Sequence, residues 1–168
     1  MELIRNQISR EATFTSPTLG SLSFEEMFSK LVDYIEEERE ESYNLIIGTD
    51  SIEHNTHTIF VSAIVVHRIG HGGRYFYKKN RHRRINSLRQ RMFYEASMSL
   101  EVAGLLRTEL SKNGFSKLHL EIHLDVGSNG DTKDIIREVV GMVRGSGYEA
   151  ITKPDAYGAT KVADRHSK

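Results

Sequence analysis

Leu45-Ile46-Ile47-Gly48-Thr49-Asp50-Ser51 is a short apolar run that ends on a single acidic side chain. Such a run predicts a strand buried on both faces, with Asp50 at the point where the strand leaves the sheet. Open α/β sheets keep their chemistry at strand ends of this kind. A second run, Leu118-His119-Leu120-Glu121-Ile122-His123-Leu124-Asp125-Val126-Gly127, likewise leads from a strand-like segment into an aspartate and then small residues. If the two strands are parallel neighbours, Asp50 and Asp125 meet at one edge. Two carboxylates held that close repel each other unless a cation or a proton intervenes, so the pairing predicts a metal site. Taken singly, each aspartate also has a plainer reading as a cap on the local turn.

Outward from these runs, the pattern predicts alternating elements. Ser23 and Glu26 make a capping box ahead of Phe24, Met27, Phe28, Leu31, Val32 and Ile35, so a first helix is expected over about residues 24–41. Residues 58–67 are β-branched and strand-like, Gly70-His71-Gly72-Gly73 provides a reversal, and Tyr75-Phe76-Tyr77 reads as a third strand. These three strands predict an antiparallel meander. From Asn86 to about Lys112 apolar residues recur at three- and four-residue spacing, which predicts a long helix stopped by Asn113-Gly114. A connection of that length suits a crossover to a parallel strand. A helix opened by Asn129-Gly130-Asp131, a fifth strand over 148–153 and a short last helix over about 156–165 complete the reading.

The 168 residues, with 38% apolar content, are expected to form one domain over 21–168 behind an extended N-terminal arm, 1–20. The chain has no cysteine, which excludes thiolate metal sites, and the N-terminal residues lack an apolar run suited to a signal peptide or a span. A cytoplasmic protein without membrane contact is the expectation. The formal net charge of zero conceals an acidic block, Glu36 to Glu41, and a basic one holding Lys78, Lys79, Arg81, Arg83, Arg84, Arg89 and Arg91 with no acid among them. The acidic block reads as the solvated end of a helix. The basic block would attract a polyanion such as nucleic acid, or another protein's acidic face, and reads equally as an exposed loop and helix start.

Three meandering strands, a crossover helix, a parallel strand, a helix, a fifth strand and a last helix follow the order of the ribonuclease H-like fold. The motifs IIGTDS, the Glu95-Ala96 pair in the long helix, HLDVGSNG and KPDAYGATKVADRH resemble those of the YkuK-type ribonuclease H-like family of bacterial proteins. The resemblance implies an α/β fold with a five-stranded mixed sheet, three strands antiparallel and two parallel, flanked by helices and extended by the N-terminal helix. In active members one acid lies on the first strand, one on the long helix, one at the end of the fourth strand and one on the last helix. Carried over, these are Asp50, Glu95, Asp125 and Asp164, with His166 as a neighbour able to move a proton or complete a metal shell. Glu101 is the alternative on the long helix, but it lies too far round the helix from Glu95 for both to face the first strand.

An all-oxygen set of this kind suits Mg²⁺ or Mn²⁺. Two such ions roughly 4 Å apart activate a water and steady the leaving oxygen of a phosphodiester. The implied activity is therefore hydrolysis of RNA or DNA, with Asp50 bridging both ions, Glu95 and Asp125 sharing them, Asp164 and His166 closing the outer position, and the basic block holding phosphates. Two rival readings are a non-catalytic nucleic-acid-binding or assembly module on the same fold and a nucleotide-binding phosphotransfer protein using residues 125–132 as a phosphate loop. His119, Glu121 and His123 share one strand face, a pattern that suits zinc and equally suits a partly solvated strand.

Overall fold

The computed structural model describes residues 13–126, 132–152, 162, 165 and 166. The elements run β1 (Phe14–Ser16), β2 (Gly20–Leu22), α1 (Phe24–Glu37), β3 (Tyr43–Glu53), β4 (His57–Arg68), β5 (Gly72–Arg83), α2 (Leu88–Lys112), β6 (His119–Leu124), α3 (Lys133–Gly145) and β7 (Glu149–Thr152). The strands form one sheet in the order β2-β1-β5-β4-β3-β6-β7. β3, β4 and β5 are the expected antiparallel meander, while β6 and β7 lie parallel to β3 beyond it. The sheet is mixed and α/β as expected, but among the described residues it has seven strands instead of five.

The two added strands come from the end of the expected arm. Phe14 and Leu22 bury their side chains, Phe14 against Phe24 with ring centres 6.1 Å apart, and the hairpin pairs with β5 through Thr15 and Tyr77. It thereby covers the sheet edge that β5 would otherwise present. Three-residue strands carry too little alternation to be recognised in isolation.

α1 starts as read, with the Glu26 amide donating to Ser23 Oγ at 3.1 Å and the Ser23 amide donating to Glu26 Oε1 at 3.3 Å. It ends at Glu37, two residues into the acidic run and short of the expected end near 41, because its last turn has no basic residue and further negative charge opposes the helix dipole. β5 is far longer than Tyr75–Tyr77. Its backbone pairs with all of β4, from His57 beside Arg83 to Arg68 beside Gly72, so most of the basic block is strand rather than loop.

The larger core lies between one face of the sheet and the helices. Leu45, Ile47, Ile64, Val66 and Phe76 meet Met27 and Leu31 of α1, Met92, Ala96 and Leu106 of α2, and Val139 and Val143 of α3. On the opposite face Ile46, Val61 and Ala63 form a smaller cluster to which Ile59, Val65, Tyr77 and Val162 pack. β3 is therefore apolar on both sides, which is why its sequence is continuous rather than alternating. Residues 1–12, residues 127–131 with the expected helix opening at Asn129-Gly130-Asp131, the segment 153–161 that holds most of the expected last helix, and Asp164 lie outside the described residues.

Candidate functional site

β3 and β6 pair in parallel from Asn44 beside His119 to Gly48 beside His123. Two residues further along that register come Asp50 and Asp125, and both line one cleft. β6 has ended at Leu124, whereas β3 continues to Glu53, so the sheet opens into a notch at this point. The first turns of α2 cross the notch, Ser87 capping the helix by accepting from the Gln90 amide at 3.2 Å. The result is a cleft of about 250 Å³ lined by Asp50, Ser51, Arg91, Glu95, Asp125 and Thr132, with Leu88, Met92 and Val126 as its apolar wall.

Consecutive strand residues face opposite ways. Thr49 and Ser51 point to α2, and both are tied to it. Thr49 Oγ1 is 2.8 Å from Ser99 Oγ and 2.9 Å from Ser62 Oγ, a buried hydroxyl trio that locks β3, β4 and α2 together. Ser51 Oγ donates to Glu95 Oε1 at 2.5 Å. Asp50, between them, projects to the other face, where it shares the open edge with Asp125. Glu95 therefore arrives from the helix side and the two aspartates from the strand side.

Burial is the main influence on Glu95, and it pushes the carboxyl pKa up to about 8. The Ser51 hydrogen bond opposes that rise, Asp50 adds to it, Arg91 opposes it and Asp125 adds to it. A carboxyl in this position holds its proton at neutral pH unless a cation replaces it. Ser51 and Arg91 were not singled out as cleft residues from sequence. Alternation alone would have placed Ser51 on the helix side, whereas Arg91 resembles its basic neighbours until the path of α2 is known.

Of the other expected site residues, Glu101 faces Lys78 rather than the cleft and raises that ammonium's pKa against the dominant lowering by burial. His166 does not join the acids. Its ring stacks on Tyr77 at 3.9 Å between centres and its Nε2 is 3.3 Å from Tyr75 Oη, on β5, two strands from β3. Burial, then Lys79 and Arg165, hold its pKa below the usual imidazole value.

The seven basic residues divide rather than forming one stripe. Lys78 is only 9% exposed and lies 5.7 Å from the Phe14 ring centre. Arg84 pairs with Glu53 and Arg89 with Glu138, at 2.5 and 2.6 Å, while Arg91 lines the cleft. Lys79, Arg81 and Arg83 are exposed, and strand alternation places them on the face to which Asp50 points. Lys79 lies in the cross-strand row that runs through Val61 to Asp50.

A larger groove, about 610 Å³, lies between the β1–β2 hairpin, α1 and β5, where Lys30, Asp33, Glu37 and Arg74 mix both signs of charge. Its size does not make it the stronger candidate, since its two acids are balanced by two bases. Among the described residues no helix is long and apolar enough to cross a membrane.

A strand-end cleft with acids from a central strand, the crossover helix and the adjacent parallel strand defines a class, and the comparisons agree with it. The family model described as ribonuclease H-like matches residues 26–168, and the chain belongs to that family. It is also 34% identical over 161 residues to the "Uncharacterized protein YkuK" of Bacillus subtilis (strain 168), a match that covers 89% of this chain and 93% of that protein. No solved structure matches.

Proposed function

We propose that the chain is a divalent-metal-dependent nuclease that hydrolyses phosphodiester bonds of RNA or DNA. The observation that carries this reading is the convergence of Asp50, Glu95 and Asp125, from three separate elements, on one solvent-reaching cleft.

The donor set fits Mg²⁺ or Mn²⁺. It is all oxygen, and Glu95, half-buried beside two other acids, has its ionised form penalised until a cation compensates it. Asp50, Glu95 and Asp125 would hold the ions, together with Asp164 if the family's fourth acid is retained. When bound, a pair of such ions supplies an activated water and stabilisation of the leaving oxygen.

The protein's own contribution is placement. The Thr49–Ser62–Ser99 trio fixes the height of α2 over β3, and Ser51 aims the Glu95 carboxyl. Arg91 adds positive charge beside the acids, suited to a phosphate entering the cleft. Lys79, Arg81 and Arg83 extend that attraction across the sheet face. They supply contacts to backbone phosphates that carry no sequence information, so binding depends weakly on sequence and strongly on salt.

The test is cleavage of labelled RNA, single-stranded DNA, RNA–DNA hybrid and branched DNA with Mg²⁺, Mn²⁺ or chelator. Metal-dependent cleavage that disappears in Asp50→Asn supports the nuclease. Binding of the same substrates without cleavage would assign a non-catalytic module on this fold, and ATP hydrolysis would assign the phosphotransfer reading.

A further inference from the structure

We infer that His119, Glu121 and Glu149 form a separate site for one transition-metal ion of the zinc class, at the opposite end of β6 from the carboxylate cleft. Glu121 and Glu149 are register partners on the parallel strands β6 and β7, so their side chains stand next to each other on one face. Like charges so placed repel. These two nevertheless turn inward to a common point. His119 Nε2 is 3.2 Å from Glu121 Oε2 and 3.0 Å from Glu149 Oε2, and one donor atom from each residue lies within 4.8 Å of the others.

A single imidazole N–H cannot serve two carboxylate oxygens at full strength. A cation can, because metal–ligand bonds of about 2.0–2.2 Å bring three donors to roughly this spacing. One nitrogen and two oxygens favour zinc-class ions over magnesium.

His123 gives the site its support. Its Nε2 is 2.7 Å from Glu121 Oε1, and because an ionised carboxylate only accepts, the imidazole donates. His123 is 4% exposed, so Glu121 is held from behind by a buried ring while Oε2 remains directed at His119 and Glu149. This is the arrangement in which an outer partner orients a metal-binding carboxylate. His119 and Glu149 have half-exposed side chains, at 49% and 51%, which leaves room for water or a further ligand. The trio His119, Glu121 and His123 suggested by strand alternation is thus regrouped. Glu149 takes the third ligand position and His123 stands behind. The site lies four residues before Asp125, about 13 Å along the strand, so the two groups do not share an ion. An ion here ties β7, the four-residue edge strand, to β6.

The test uses the full chain stripped of metal, titrated with Co²⁺ while the visible absorption of nitrogen-coordinated cobalt is followed, and with Zn²⁺ by calorimetry. The expected result is one tight ion whose cobalt band persists in Asp50→Asn. His119→Ala and Glu149→Gln, both at half-exposed positions, each weaken binding at least tenfold, and His123→Gln weakens it about 10- to 100-fold. Parent-like titration of His119→Ala and Glu149→Gln, loss of the band in Asp50→Asn, or no Co²⁺ or Zn²⁺ binding by the parent would each overturn the site. None of these readouts depends on cleavage, so failure of the nuclease reading is seen separately.

Discussion

The two ends of β6 present carboxylates in different surroundings. At its exit, Asp125 joins Asp50 and Glu95, side chains contributed by three elements far apart in the chain and partly withdrawn from water. At its entrance, Glu121 joins Glu149 and a histidine, all on two neighbouring strands, with His119 and Glu149 half open to solvent. The first group is oxygen only and carries one carboxyl whose charge burial disfavours. The second contains its own compensating imidazole. Burial that Arg91 offsets only in part makes the first group dependent on an external cation, whereas the second tolerates the cation's absence.

The largest effect that would break this contrast is on activity. Asp50→Asn is expected to reduce cleavage about a hundred- to a thousandfold, as removal of an electrostatic partner of the reacting centre does, while His119→Ala leaves the cleavage rate within about twofold. Initial rates at saturating Mn²⁺ on one substrate measure both. Equal losses would show that the two ends of β6 act as one site.

Next in size is a pH effect on stability. Glu95 in the folded chain titrates near 8, whereas an unfolded glutamate titrates near 4.5, so between these values the folded state binds the extra proton. Metal-free stability should therefore fall as pH rises through that window, by up to a few kcal/mol. Denaturant melts at pH 5 and pH 8 measure this fall, and Glu95→Gln should flatten it. Saturating Mg²⁺ should flatten it too, since the cation takes the proton's place, and metal binding should release a proton below pH 8.

A smaller effect concerns the basic residues. Replacing Lys79, Arg81 and Arg83 together with Ala should weaken nucleic-acid binding about tenfold or more at moderate salt and lower the slope of log K against log salt by about 2–3. Lys78→Met, at a buried position, should leave that slope unchanged. Fluorescence anisotropy at several salt concentrations separates the two, and an unchanged slope in the triple variant would remove this face from the interface.

The smallest expected change is in Ser51→Ala, which should cost about 1 kcal/mol of metal-free stability and raise the Glu95 carboxyl pKa further, through loss of one hydrogen bond. The same melts measure it.

These contrasts were unequally legible in the chain. The strands through Leu45 and Leu120, the capping box at Ser23 and the long helix ended at Asn113 can be read directly, because burial and helix ends leave patterns within a few residues. Asp50, Glu95 and Asp125 were reachable by adding the family's element order to those patterns. Lys78 misleads, since a lysine among arginines reads as surface until β5 is extended by pairing with β4 and the hairpin at Phe14 covers it. Glu149 left no signal of its own, because its role depends on the register that sets it beside Glu121.

The amino-acid order alone determined the central strands, the capped start of the first helix, the long second helix and the two aspartates that follow the apolar runs. Those properties follow from side-chain alternation, helical periodicity and caps, all of them local. Only the tertiary structure decided that α2 lowers Glu95 and Arg91 into the notch, that the cations of β5 split between its two faces, and that a histidine and two glutamates meet at the far end of β6. Those outcomes depend on inter-strand register and helix placement, which arise from contacts between residues dozens of positions apart.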